Sequence, residues 1–345
     1  MGAKTTFALA ILADQRMKIG LDATPLSVAT GGIRRYTEEL AKALEATFPD
    51  DQCCLLAESE SGLNRRWWSL GLPRLLASKR FDVFHGTDFA VPYAPVCAAV
   101  MTVHDLSPWK REPWQNASSR VRRRTPVLLG LGLATMVITP TDAVRAEAIE
   151  RFRLRPERVV TVYEAPSHRF IPVTAATEQK PYFLFVGTVE ARKNLDVALE
   201  AWRSLRAQAD FVVAGRGSLP GEPGLTVLGA VPDERLPALY AGAAALVFPS
   251  LYEGFGLPVL EAMRCGAPVI TSRDPALVEV SGQAAIHADA SQPRQWLEAM
   301  QAVLNDPSPW RDAGYRRAAQ FTWEKAARQT YQVYTEAIRR FRGGA

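Results

Sequence analysis

The stretch from Ala244 to Thr271 constrains this chain more than any other. It reads as strand, glycine-rich loop, short helix, strand. Leu246-Val247-Phe248 is a short apolar run ended by Pro249 and Ser250, as a buried strand would be. Gly254 and Gly256 open a tight loop, and Pro258 stands where a first helical turn tolerates it. Cys265-Gly266 closes the helix with a C-cap glycine, Pro268 forbids its return, and Val269-Ile270 starts the next strand. A helix N-terminus behind such a loop offers free N–H groups and a positive dipole end to a phosphate.

Two carboxylates flank that anion site. Glu253 stands in the loop and Glu261 about one turn inside the helix. A carboxylate accepts two hydroxyl hydrogen bonds side by side, which suits a vicinal diol. The pattern fits a diphosphate on the backbone with a diol on each glutamate, the shape of a nucleotide-sugar. Taken singly, Glu253 also reads as a solvated loop charge and Glu261 as a helix-start residue favoured by the dipole.

Glu253-Gly254-Phe255-Gly256-Leu257-Pro258-Val259-Leu260-Glu261 resembles the Glu-x7-Glu signature of retaining glycosyltransferases of family four. The resemblance runs along nearly the whole chain. It implies an α/β protein of the GT-B fold, with two facing Rossmann-like domains, parallel sheets, and a C-terminal helix crossing back to the first domain. The expected divisions are 1–172 for an acceptor-binding domain, 173–322 for a nucleotide-sugar-binding domain, and 323–345 for the crossover helix.

Length agrees, since 345 residues suit two domains better than one. No apolar run approaches bilayer-spanning length. The four cysteines lack metal-ligand spacing and form no disulfide framework, which fits a reducing cytoplasm. The net charge of +5 is uneven: residues 1–172 hold 23 Lys+Arg against 18 Asp+Glu, and the remainder balances. A basic first half suits an anionic surface or substrate. The expected location is cytoplasmic, with peripheral contact at the inner face of a membrane.

Residues 1–16 read as an alternative start or leader, with Met17 as a second candidate start. Lys18–Asp22 is the first strand, followed by Gly31-Gly32 and a helix from Ile33 to Phe48. Strand, glycine pair, helix is a phosphate-cradle arrangement, and the resemblance places Gly31 and Gly32 in the interdomain cleft. Residues 62–81 mix arginines with Trp67 and Trp68, either an interfacial amphipathic segment or a helix packing tryptophan on the core. A second basic run, Arg120–Arg124, follows Trp109 and Trp114; no nucleic-acid motif accompanies it.

Two further strands end in His85-Gly86-Thr87 and in His104-Asp105. Polar residues just past strand C-termini are where α/β sheets place ligand groups. Thr102-Val103-His104-Asp105 resembles the family's Thr-x-His-Asp element, which implies that His104 faces the sugar. His85 is a weaker candidate on the acceptor side. Thr141 reads as a helix cap. After the last strand of this half, Tyr163-Glu164-Ala165-Pro166 departs from the family's usual Asn-Gly turn.

The second half restarts with a strand, Tyr182–Val186, then Gly187 and Arg192-Lys193 before a helix. Adjacent Arg and Lys before a helix can neutralise a pyrophosphate, and with Gly187 they resemble the family's diphosphate clamp. Val231 falls in a turn that, by resemblance, meets the base through its main chain. Two amphipathic helices are expected to close the chain, the last starting at Phe321-Thr322-Trp323-Glu324.

The resemblance implies catalytic roles for His104, Glu253, Arg192 and Lys193. It implies donor contacts for Gly31, Gly32, Gly187, Val231, Gly254, Phe255, Gly256, Leu257 and Glu261. It implies no cofactor and no metal. Expected partners are a nucleotide-sugar, with GDP-mannose favoured, and a glycan or lipid-linked acceptor; nucleic acid is not expected. Rival readings are a UDP-sugar transferase, a silent membrane-bound scaffold, a phosphorylase or epimerase on the same fold, and a dehydrogenase. No Gly-x-Gly-x-x-Gly follows a first strand, which disfavours the last.

Overall fold

A computed structural model of the chain describes residues 16–28, 31–58, 66–110, 119–172 and 180–343. The leader at 1–15, the start of the Trp67 segment, Trp114 and most of the interdomain connection lie outside the described residues.

In the first half, β1 (Lys18–Asp22) leads to α1 (Gly32–Thr47), β2 (Gln52–Leu56) and α2 (Leu72–Ser78). Then come β3 (Val83–Gly86), β4 (Ala98–Thr102), α3 (Ser119–Gly130), β5 (Met136–Thr139), α4 (Asp142–Phe152) and β6 (Val159–Thr161). The six strands form a parallel sheet in the order β2-β1-β3-β4-β5-β6.

The second half repeats the plan. It runs β7 (Tyr182–Val186), α5 (Leu195–Arg203), β8 (Asp210–Ala214), β9 (Leu225–Gly229), α6 (Leu236–Gly242) and β10 (Ala245–Phe248). It continues with α7 (Leu257–Cys265), β11 (Val269–Ser272), α8 (Pro275–Ser281), β12 (Ile286–Ala288), α9 (Pro293–Asn305), α10 (Ser308–Ala318) and α11 (Trp323–Arg342). Its sheet is also parallel, in the order β12-β11-β10-β7-β8-β9. The two sheets are those of facing Rossmann-like domains.

Central strands such as β3, β4, β5, β10 and β11 are buried throughout. Helices cover both faces of a parallel sheet, so its inner strands read as unbroken apolar runs. Each sheet reverses its strand order at one point, between β1 and β3 and between β7 and β10. Ligands in open α/β sheets bind in the crevice beyond such reversals, at the carboxyl ends of the strands. Gly31, Thr87, Gly187 and the 249–256 loop all follow strands at these reversals.

The final helix crosses back. Ala326, Ala327, Val333, Tyr334, Ala337 and Ile338 of α11 share a core with Ile19, Leu40, Val83 and Val100 of the first half. Thr322 caps it, its hydroxyl accepting from the Lys325 N–H at 3.2 Å. Arg342 ion-pairs with Asp82 at 3.0 Å.

Several expectations need correction. β2 went unread because it is a half-exposed edge strand without clean alternation. The short helix α8 also went unread, and three helices rather than two follow β12. Trp67 is buried with Leu72, Leu76, Phe81 and Phe84, so the described part of that segment turns its apolar side to the core. Among the described residues, no helix is long and apolar enough to cross a membrane.

Candidate active site

One cleft of about 430 Å³ lies between the two domains. All thirteen residues singled out above line it: Gly31, Gly32 and His104 from the first domain, and the rest from the second. Arg35, Glu164 and Asp233, which sequence reasoning missed, line it as well.

The 249–256 loop leaves β10, and Gly256, at φ +91°, turns the chain into α7. A side chain there would be strained by the backbone angle and would meet Leu277 Cδ2 at 2.5 Å. No side chain caps α7, and its first residues, Leu257 and Pro258, line the cleft. Gly254 has a different constraint. A Cβ on it would lie 1.9 Å from the carbonyl oxygen of His104. The two domains thus touch backbone to backbone where their site loops meet. Thr141 donates to the Gly254 carbonyl at 2.9 Å, and Glu279 of α8 accepts from the N–H groups of Asp142 and Ala143 at 2.7 and 3.0 Å.

Glu253 is almost fully buried and ion-paired twice. Lys193 Nζ stands 2.5 Å from one carboxylate oxygen and Arg192 3.1 Å from the other. Arg192 also donates to the Tyr252 carbonyl at 2.8 Å and pairs with Glu190 at 2.9 Å. Burial opposes ionisation of Glu253, but Lys193 and Arg192 prevail and hold its carboxyl below the usual range. The sequence reading kept Glu253 apart from the two cations. The structure joins all three into one array beside the start of α7.

Glu261 is buried and accepts from both domains. The Arg35 guanidinium, from the start of α1, ion-pairs with one oxygen, and the Tyr240 hydroxyl donates to the other at 2.9 Å. Arg35 also reaches Asp233 at 2.8 Å and lies over the Phe170 ring, 5.5 Å from its centroid. Burial raises the Glu261 pKa, against the pull of Arg35 and Tyr240. Asp233 stands two residues past Val231, so the turn after Val231 and Glu261 share one cation.

His104 Nε2 lies 2.7 Å from the Thr87 carbonyl oxygen, and Nδ1 lies 3.2 Å from Glu164 Oε1. His85 is a correction. It is fully buried away from the cleft, with its ring nitrogens 2.7 Å from the hydroxyls of Tyr334 and Thr102. It ties α11 to the first sheet. Among the described residues, no group of three or more His, Cys, Asp or Glu is placed to hold a metal ion.

Fold and cleft together define a glycosyltransferase architecture, and the comparisons agree. A family model described as Glycosyltransferase Family 4 matches residues 51–165, and one described as Glycosyl transferases group 1 matches 167–321. The chain is 35% identical to O-antigen chain mannosyltransferase B of Escherichia coli, over 92% of this chain and 99% of that protein. It is 28% identical to an MMP alpha-(1->4)-mannosyltransferase of Mycolicibacterium hassiacum, over 79% of this chain and 75% of the relative. Sucrose-phosphate synthase from Thermosynechococcus elongatus superposes with a TM-score of 0.73 at 19% identity, covering 93% of this chain and 99% of the other. The chain belongs to glycosyltransferase family four.

Proposed function

We propose that this chain is a retaining mannosyltransferase that uses a nucleoside diphosphate-mannose, GDP-mannose by preference, to extend a glycan or lipid-linked glycan in surface-polysaccharide synthesis. The observation that carries the reading is the Arg192–Lys193–Glu253 array beside the uncapped start of α7, in an interdomain cleft. The sugar rests on the two mannosyltransferase relatives, and the pathway on the O-antigen one.

In this reading the bond from the sugar's anomeric carbon to the diphosphate oxygen breaks, and a bond to the acceptor oxygen forms on the same face. The acceptor's proton goes to the departing phosphate oxygen. Arg192, Lys193 and the N–H groups from Gly254 to Leu257 meet the charge that grows on that phosphate, in an array already oriented before reaction. These groups take the role that a divalent metal would otherwise supply, so EDTA should leave turnover unchanged. Glu261 is assigned the ribose diol, with Arg35 and Tyr240 fixing its carboxylate. Glu253 takes sugar hydroxyls while Lys193 and Arg192 balance its charge. A double-displacement glycosidase needs a free carboxylate nucleophile about 5 Å from its partner; Glu253 and Glu261 are both engaged by protein donors. His104 orients the sugar, and its longer Nδ1 bond is the one a sugar hydroxyl can share. Peripheral attachment would use the basic first domain, where Arg120 and Arg123 of α3 are exposed.

The test is thermal stability against GDP, UDP, ADP, TDP and their sugars, followed by turnover and NMR of the product's anomeric configuration. Selective binding to the native state raises the melting temperature. A shift with GDP and GDP-mannose, and an α-linked product, is expected. A shift with UDP-sugars alone replaces the donor. No shift with any nucleotide favours a silent scaffold.

A further inference from the structure

The reaction scheme gives no part to Glu164, a third buried carboxylate of the cleft. It follows β6 and is 5% exposed. Its partner is the His104 imidazole, and the pairing restricts that ring's protons. The Thr87 carbonyl, 2.7 Å from Nε2, can only accept, so Nε2 carries a proton. Glu164 Oε1 lies 3.2 Å from Nδ1, where it can accept a hydrogen bond from a proton on that nitrogen. The ring plane is fixed by packing, with Tyr36 edge-on at 4.8 Å and Phe89 at 6.2 Å between centroids.

We propose that Glu164 is the positioning residue of His104. With the Thr87 carbonyl it locks the imidazole in place and keeps it doubly protonated, so the first-domain wall of the cleft holds a fixed imidazolium–carboxylate pair rather than a freely rotating ring. This rests on the reading of the cleft as a nucleotide-sugar site.

The charged and titratable groups around the ring come from every side. Glu164 comes from the segment after β6, Asp88 from the turn after β3, and Asp105 is next in sequence. His85 comes from β3, where burial keeps it neutral, and Tyr36 from α1. Arg124 of α3 stands beyond Asp88. Burial alone would lower the imidazole pKa; the Glu164 hydrogen bond and charge, aided by Asp88, raise it above its usual value.

The experiment is an NMR titration of histidine-labelled full-length protein, with the His104 signals assigned by His104→Gln. In the wild type the ring should titrate above the ordinary histidine value. Glu164→Gln keeps the size and an acceptor but removes the charge, and should move that midpoint down by about one unit or more. Glu164→Asp, which keeps the charge, should titrate near the wild type and guards against a folding artefact. The pH profile of donor turnover provides the second readout. Its basic limb should move down with the NMR midpoint in Glu164→Gln, with the loss in kcat growing as pH rises. An unmoved His104 midpoint overturns the proposal, as does a moved midpoint with a superimposable pH profile. A wild type that turns over no nucleotide-sugar would instead fail the functional reading, and the titration would still report the ring's charge.

Discussion

Arg35 and Glu261 belong to different domains, 226 positions apart, and form an ion pair across the floor of the cleft. The pair does two jobs. It neutralises the most buried carboxylate of the site, and it ties the start of α1 in the first domain to α7 in the second. A carboxylate stripped of such a partner would be left buried and unpaired.

Arg35→Ala should therefore lower stability by about 3 kcal/mol, the scale for breaking a buried pair from one side. Adding Glu261→Gln should restore much of that loss, because the uncompensated charge disappears. Urea unfolding of the two single variants and the double variant measures the coupling. Additive losses would show that the pair contributes nothing as a pair.

Lys193→Met should reduce kcat by about 10²–10³-fold, the usual effect of removing one preorganised donor to developing charge. Glu253→Ala should abolish most turnover, and intact turnover would remove Glu253 from the mechanism. Glu253 also sets an acid limit. Its folded pKa lies below the ordinary 4.5, so its stabilising contribution is complete above that value and is lost as pH falls through the lower one. Acid unfolding of Glu253→Gln should show a shallower dependence in that window.

Gly254→Ala places a methyl group 1.9 Å from the His104 carbonyl oxygen, so the two domains must part. Displacement by about 1 Å can cost about 10²-fold in rate. A large fall in kcat, with each domain still folded by circular dichroism and a larger radius of gyration in solution scattering, is expected. Wild-type kinetics would mean that the domains do not need to meet at this point.

His85 gives a second acid signature, at higher pH. Burial lowers its pKa from 6.5 to about 3. The unfolded chain takes up a proton near 6.5 and the folded one does not, so stability is full above that value and falls with acidification. The slope from this one group is about 1.4 kcal/mol per pH unit. His85→Gln should flatten the stability–pH curve between pH 6 and pH 4, read by chemical denaturation at several pH values.

Local pattern and local chemistry made much of the fold legible. The 246–248 run, Gly266 and Thr322 carry their roles in their immediate neighbours: a buried strand, a helix stop, a cap. The glycine loop with its two glutamates, and Arg192-Lys193 before a helix, likewise stood out in sequence, and the structure brings them to one cleft. What stayed hidden were partnerships between distant residues. Nothing around Arg35 in sequence separates it from Arg34, which bonds the carbonyls of Leu26 and Val28 instead. Glu164 looked like a local irregularity until β4 and β6 brought His104 beside it. Trp67 was ambiguous because arginines and tryptophans suit either a membrane face or a core. The packing of α2 on the first sheet decided it.

The crossover of α11 has a consequence for the order in which the protein can be built. The apolar face it covers belongs to strands made near the beginning of the chain, while the helix is made after both sheets. During synthesis the core that holds Ile19, Leu40, Val83 and Val100 lacks the α11 side chains until residues 323–342 have been made. The second domain has its own core and can close earlier. The later-made half thus has its own core before α11 appears, whereas the earlier-made half completes its core only when α11 docks.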